Sequence, residues 1–361
     1  MPRSPRPARR RTVLALLAAS AAGAGGAAWW WKDRSASPVA RPPDPVLGPG
    51  DPAPQAERLT GPGVTGRADQ IAFTADGGAL TWVEADGQVP RVDLTSGALT
   101  SGPALTRPGV RHVFSPGNDM VAVVGGPGRT VVSLQGYPDG GERARLDHDG
   151  EVDRVVFGPD GTHLLTRTLD GVYQVWDARA GAPVGPPVAA DFGALGVSAD
   201  GTRLAVESGL DGIRLCPTDG TGCRSLPSAP AGDLTLVFVP GTRFLAAPTV
   251  SAVDGQVRLW DTDTGQAVSA LVDCTITDGQ TARPAIIAAI AADRTGSRIA
   301  AATDDGAIRL WDVATARVAG PALTTQPGVR ELALSPDGST LVALGEDRVF
   351  TLWRVGGFRA A

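Results

Sequence analysis

The hexapeptide VYQVWD, at Val172–Asp177, decides the fold because related strand-like stretches recur along the chain at a nearly constant spacing. The other copies are VPRVD (Val89–Asp93), VVSLQ (Val131–Gln135), IRLC (Ile213–Cys216), VRLWD (Val257–Asp261), IRLWD (Ile308–Asp312) and FTLW (Phe350–Trp353). The tryptophan or its replacement stands at positions 92, 134, 176, 216, 260, 311 and 353. Five of the six separations are 40 to 44 residues, which is typical of a repeat made of four short strands, and the sixth is 51.

A second motif keeps step with the first and marks a turn between two strands. Its copies are FTADG (Phe73–Gly77), FSPG (Phe114–Gly117), FGPDG (Phe157–Gly161), VSADG (Val197–Gly201), FVPG (Phe238–Gly241), ADRTG (Ala292–Gly296) and LSPDG (Leu334–Gly338). Proline presets φ, and Asp-Gly supplies the tight reversal. Two motifs in phase seven times predict seven copies of one four-stranded unit.

Together these motifs resemble the WD-repeat family over residues 56–361. The resemblance implies an all-β, seven-bladed β-propeller in which each blade is a four-stranded antiparallel sheet and the Trp-Asp dipeptide ends the third strand. It assigns structural roles to the dipeptides Trp260-Asp261 and Trp311-Asp312 and to Trp353. It also implies a buried hydrogen-bond network in the third blade. The residues that match this network are His148, Thr168, Asp170 and Trp176.

The seventh repeat lacks its outer strand, because only residues 354–361 follow the third strand at Phe350–Trp353. The segment Ala56–Leu59 resembles the outer strands of other repeats. We expect the two ends of the chain to pair in one blade, which closes the ring and hides its edges. The long interval before Trp311 predicts an insertion near Cys274–Pro284, between blades five and six.

Residues 1–31 have the pattern of an export signal or a membrane anchor. Arg10 and Arg11 precede an apolar stretch and resemble a twin-arginine signal, although Arg9 stands where a serine or threonine is usual. Residues 13–31 are long enough to cross a bilayer, so a cleaved signal and a retained anchor both remain open. Residues 32–55 are rich in proline and predict an extended linker. This pattern places the propeller on the extracytoplasmic side of a cell membrane, with secretion as the alternative.

Charge is unevenly distributed along the sequence. Residues 61–361 contain 24 basic and 34 acidic side chains, whereas the net charge of the whole chain is −5. Binding to a phosphate backbone depends on basic surfaces, so we expect no nucleic acid partner.

The sequence contains no motif that indicates a catalytic site, a cofactor or a metal ion. The histidines His112, His148 and His163 are spread over two repeats and do not form a ligand set. Cys216 and Cys223 flank a turn between two strands of the fourth repeat, where opposed positions come within disulfide reach. A disulfide and two separate buried thiols both remain open.

Polar residues near the starts of the innermost strands form a tentative partner-binding set. They are Asp69, Arg111, Asp153, Arg154 and Arg330. In a propeller these positions approach the mouth of the central channel, although ordinary solvated strand ends would also account for them. The resemblance favours a non-catalytic scaffold that binds a protein or peptide partner. The alternatives are a sensor of a small ligand and a propeller enzyme of the lactonase kind, for which Asp69 and Asp153 are candidate carboxylates.

Overall fold

The computed structural model describes residues 56–59, 71–84, 87–102, 104–105, 111–189, 193–207, 212–226, 236–250, 255–273, 275–278, 281–325 and 328–356. All of them lie in one compact unit, Asp44–Ala361. The segments predicted as signal or anchor (1–31) and as linker (32–55) lie outside the described residues.

The described strands form seven antiparallel blades, which confirms the predicted propeller. The chain begins with β1 (Ala56–Leu59), and in blade 1 the strands are β2 (Ile71–Phe73), β3 (Ala79–Trp82), β4 (Pro90–Asp93) and β5 (Leu99–Ser101). Blade 2 contains β6 (Arg111–Phe114), β7 (Met120–Gly125), β8 (Val131–Gly136) and β9 (Glu142–Asp147), with a 3-10 turn at Pro127–Arg129. Blade 3 contains β10 (Val152–Phe157), β11 (His163–Thr168), β12 (Val172–Asp177), β13 (Ala182–Pro183) and β14 (Val188–Ala189).

The remaining blades repeat the pattern. Blade 4 contains β15 (Gly193–Val197), β16 (Arg203–Glu207), β17 (Ile213–Pro217) and β18 (Arg224–Ser225). Blade 5 contains β19 (Val237–Phe238), β20 (Phe244–Val250), β21 (Gly255–Asp261) and β22 (Ala267–Asp273). Blade 6 contains β25 (Ile287–Ala292), β26 (Arg298–Thr303), β27 (Ala307–Asp312), β28 (Arg317–Val318) and β29 (Leu323–Thr324). Blade 7 contains β30 (Val329–Leu334), β31 (Thr340–Gly345) and β32 (Phe350–Arg354).

The ring closes as the sequence predicts. Strand β1 pairs antiparallel with β32, from Ala56 opposite Trp353 to Leu59 opposite Phe350. The sheet order β1-β32-β31-β30 makes the first described strand the outer strand of the last blade. An edge that would otherwise be open to another chain is therefore paired.

The core is a ring of contacts between blades. Among the described residues, buried apolar side chains form seven clusters, and each cluster joins two consecutive blades. Trp82 of blade 1 packs against Phe350 of blade 7 with their ring centroids 5.3 Å apart, and both side chains are fully buried. The interface at which the ring closes therefore contains the same kind of apolar packing as the others.

Aspartates order the turns at one end of the blades. Asp177 Oδ1 accepts hydrogen bonds of 2.8 Å from the N–H groups of Arg179 and Ala180, and Asp261 does the same for Asp263 and Thr264. These bonds to the ionised carboxylate keep the pKa of Asp177 and of Asp261 below the usual range. The Trp-Asp dipeptide thus ends a strand and fixes the turn that follows it.

The predicted insertion between blades 5 and 6 is a β-hairpin. Its strands are β23 (Thr275–Asp278) and β24 (Thr281–Pro284), which pair with each other and, among the described strands, with no strand of a blade. The hairpin joins the outer strand of one blade to the inner strand of the next. It extends the connection at that point without disturbing the ring.

Candidate binding site at the central channel

The two faces of the propeller differ in which turns they carry. In each blade the four strands, here named a to d from the inside outwards, follow each other in antiparallel order. The a–b and c–d turns therefore lie on one face, and the b–c turns and d–a connections lie on the other. We name the second face the channel-mouth face. It carries the b–c turns at Pro127–Arg129 and Leu169–Gly171 and the starts of the inner strands, among them Arg111 and Arg330.

The inner strands surround a cavity of about 930 Å³. Its lining includes small apolar side chains, such as Val113, Val156 and Ala333, from the middle of the inner strands. It also includes residues from both ends of those strands, from Arg111 at the channel-mouth face to Pro116 in an a–b turn. The cavity therefore follows the central channel along the inner strands and has the size of a ligand or peptide pocket.

Three of the predicted partner-binding residues meet at this channel. Arg111, Arg154 and Arg330 all line it, from blades 2, 3 and 7. Arg111 and Arg330 are exposed, and Arg154 is half-buried. Sequence analysis missed two further charged residues of the lining, Glu331 and Arg294. Glu331 could have been found from the sequence because it directly follows Arg330. Arg294 could not, because it lies within a turn motif.

Asp153 does not share this position, although it was predicted with the arginines. Its carboxylate forms a two-point ion pair with Arg167, in which Arg167 Nε lies 2.9 Å from Asp153 Oδ1 and Nη2 contacts Oδ2. This hydrogen-bonded partner raises the pKa of the Arg167 guanidinium. Asp153 thus joins neighbouring strands β10 and β11. Asp69, the remaining member of the predicted set, lies outside the described residues.

The hydrogen-bond network of blade 3 is built on Thr166 instead of the predicted Thr168. Trp176 Nε1–H donates to Thr166 Oγ1 at 2.8 Å, and His148 Nε2 lies 2.9 Å from the same oxygen. Thr168 ends strand β11. Its hydroxyl donates to the Val172 carbonyl oxygen and accepts from the Val172 N–H, both at 3.3 Å, across the b–c turn. Both threonines lie on one face of the strand, so alternation alone does not separate them.

Asp170 is likewise outside the observed network. It is exposed, and His148 Nδ1 has no hydrogen-bond partner among the residues that the structure describes. Burial lowers the pKa of His148, against the weaker opposing effects of the Thr130 and Leu146 backbone and then of neighbouring carboxylates. Trp260, Trp311 and Trp353 are fully buried in their blades, but the indole nitrogens of Trp260 and Trp311 have no partner within the described part.

Cys216 and Cys223 form a disulfide, with the two sulfur atoms 2.06 Å apart. Cys216 takes the place of the blade tryptophan in blade 4, and it packs with Leu204 and Val206. The bridge closes the turn between β17 and β18, where the outer strand is two residues long. In the described part of the chain, no group of three or more His, Cys, Asp or Glu side chains is placed to hold a metal ion.

The fold and the site define a seven-bladed β-propeller with an arginine-lined channel. The family described as "WD domain, G-beta repeat" matches residues 273–312, which cover the inserted hairpin and three strands of blade 6. Among solved structures the chain is similar to "Structure of U3-55K", with a TM-score of 0.59 and 14% identity over 83% of this chain and 98% of that one. It is equally similar to "Crystal structure of RRP9 WD40 repeats", with a TM-score of 0.59 and 14% identity over 84% and 97%. No curated protein matches the sequence.

The predicted localisation at a cell membrane, with secretion as its alternative, is wrong. The finding that stands against it is the similarity in fold to U3-55K and to the RRP9 WD40 repeats. The apolar segment 13–31 on which the prediction depended lies outside the described residues. Within the described ranges, the structure has no helix with the length and apolar character that a membrane crossing needs.

Proposed function

We propose that this protein is a non-catalytic scaffold that binds a protein or peptide partner on its channel-mouth face. The observation that carries the proposal is the meeting of Arg111, Arg154 and Arg330 at one cavity of the propeller. Arg330 comes from blade 7, which is distant in sequence from blades 2 and 3, and the closed ring brings all three side chains to one channel. A few convergent groups around an open pocket are what a recognition site requires.

Two exposed apolar side chains also favour partner binding on the channel-mouth face. Leu169, in the b–c turn of blade 3, is 64% exposed, and Ile286, at the start of the inner strand of blade 6, is 61% exposed. Single exposed apolar residues are ordinary on a protein surface. Here both lie on the face that also carries the arginines and the inserted hairpin. Apolar anchors beside charged groups are typical of protein interfaces.

A small-ligand receptor is the second candidate, and the volume of the cavity favours it. In this case the ligand would occupy the channel, and the surrounding loops would have no partner. The lactonase-like alternative has less support, because Asp153 is paired with Arg167 and does not line the cavity.

Affinity capture with face-specific variants of the full chain tests the proposal. In the first variant Leu169→Glu and Ile286→Glu place charge on the channel-mouth face. In the second, Thr95→Glu and Arg179→Glu alter exposed c–d turns on the opposite face. We expect the wild type and the second variant to retain the same proteins, and the first variant to lose them. Equal retention by all three, or no specific protein with any of them, would contradict the scaffold.

A further inference from the structure

The charge of the channel is opposite to the charge of the chain around it. Four arginines line the described cavity, namely Arg111, Arg154, Arg294 and Arg330, against one carboxylate, Glu331. Residues 61–361 as a whole carry ten more acidic than basic side chains. An excess of arginine in one concave place is therefore a local feature of the fold. Low-dielectric walls strengthen the field of such charges inside a cleft.

Two of the arginines at the mouth have no acidic partner within the described part of the chain. Neither Arg111 nor Arg330 forms an ion pair with any other residue that the structure describes. Glu331 accepts a hydrogen bond of 3.0 Å from the Ile71 N–H of blade 1, so its carboxylate is engaged across the blade interface. A guanidinium presents a planar set of donors that fits a carboxylate at two points.

The far end of the cavity is also positive. Arg294 belongs to the a–b turn of blade 6 but reaches the a–b turn of blade 2, on another part of the ring. A Cβ atom on Gly117 would lie 3.4 Å from Arg294 Nη2 and 3.2 Å from Asp119 Oδ1. The guanidinium thus packs closely against backbone that has no side chain. Arginines therefore line the described cavity at both of its ends.

We propose that the channel binds an acidic segment of the partner protein, with carboxylates placed on Arg111 and Arg330. This inference rests on the proposed scaffold function and names the chemistry of its partner. The cavity volume of about 930 Å³ accepts several side chains of an extended peptide. Arg294 adds attraction at the a–b end of the channel, and Val113 and Val156 supply apolar walls between the charges.

Fluorescence anisotropy with labelled hexaglutamate, hexalysine and hexaserine peptides tests the proposal on the full-length protein. We expect hexaglutamate to bind and the other two peptides not to bind. Each of the substitutions Arg111→Gln and Arg330→Gln should weaken the binding about tenfold, because each removes a charge-assisted contact. The control is Arg179→Gln, an exposed arginine in a c–d turn on the opposite face, and it should bind as the wild type does.

Thermal melting of each variant checks that it remains folded, and Arg111→Lys, which keeps the charge, should retain part of the affinity. A labelled single-stranded RNA and inorganic phosphate serve as other anions. The proposal is overturned if hexaglutamate does not bind, if the Arg111 and Arg330 variants bind it unchanged, or if the RNA or phosphate binds more tightly. The capture experiment separates this proposal from the scaffold function. If the Leu169→Glu and Ile286→Glu variant loses its partners but hexaglutamate does not compete with partner binding to the wild type, the scaffold stands and the acidic segment is rejected.

Discussion

The indole N–H of Trp176 donates a 2.8 Å hydrogen bond to the hydroxyl oxygen of Thr166, and both side chains belong to adjacent strands of blade 3. His148, from the connection that precedes the blade, lies 2.9 Å from the same oxygen. Its ring packs edge-on against the indole at a centroid distance of 5.3 Å. One hydroxyl therefore links the loop, the second strand and the third strand of this blade.

Replacing Thr166 with valine should lower the free energy of unfolding by about 2 kcal/mol, because a buried indole N–H and a histidine nitrogen lose their partner. The matched control is Thr168→Val, which removes only 3.3 Å contacts in a turn and should cost less than about 1 kcal/mol. Urea unfolding of the two variants measures the difference. A larger loss for Thr168→Val than for Thr166→Val would contradict the observed network.

The stability of blade 3 should depend on pH through His148. Burial keeps the pKa of His148 in the folded protein below its ordinary value of 6.5. The folded state therefore binds fewer protons than the unfolded chain between those two values. The contribution of neutral His148 is fully present above pH 6.5 and is lost as the pH falls toward the lowered pKa.

Urea unfolding of the wild type and of His148→Gln across this range isolates the effect, since the other two histidines are common to both proteins. The wild type should lose more stability than the variant as the pH falls below 6.5. The carboxylates of Asp177 and Asp261 do not interfere, because their pKa values lie below 3.8. If the variant shows the same or a steeper loss, His148 does not carry this pH dependence.

Ring closure should depend on the four residues of β1, Ala56–Leu59. Removing residues 1–59 takes away β1 and leaves the edge of β32 open, whereas removing residues 1–55 keeps the strand. We expect the shorter protein to melt at a lower temperature and to self-associate, because an open edge pairs with other chains. Melting curves and light scattering compare the two truncations. Identical behaviour of both proteins would show that β1 does not stabilise blade 7.

The disulfide can be tested by counting the free thiols of the chain. The chain has three cysteines, and the bridge between Cys216 and Cys223 leaves Cys274. Titration of the denatured, unreduced protein with a thiol reagent should give one free thiol per chain. Cys216→Ser with Cys223→Ser should lower the free energy of unfolding by about 2–3 kcal/mol, as expected for a short closed loop. Three free thiols would show that the bridge is not formed.

Much of the fold could be predicted because two short motifs repeat in phase. The turn motif and the Trp-Asp motif are local, so every blade except the seventh is encoded by one contiguous stretch of the chain. Ring closure followed from the missing outer strand, and the pairing of Ala56 with Trp353 confirms it. The place of Trp82 was not predicted. It lies on the second strand, where the repeat gives no signal, and it fills the closing interface beside Phe350.

The site was only partly predictable, because its residues are brought together by the ring. Positions at the starts of inner strands indicated Arg111, Arg154 and Arg330, which do meet at the channel. The same reasoning wrongly grouped Asp153 with these arginines, because its ion-pair partner, Arg167, lies on the neighbouring strand. The resemblance assigned Thr168 to the network, whereas the structure has Thr166 there. The sequence pattern does not distinguish them, since a shift of two residues keeps a side chain on the same face of a strand.

The central claim is that partners bind on the channel-mouth face, and photo-crosslinking within blade 3 tests it most directly. A photoreactive phenylalanine analogue at Leu169 reports on that face, and the same analogue at Arg179 reports on the opposite one. Both positions are exposed and belong to turns of one blade, so they differ mainly in the face they occupy. We predict a crosslinked partner from Leu169 in cells and none from Arg179. Crosslinks from Arg179 alone, or from neither position, would contradict the account.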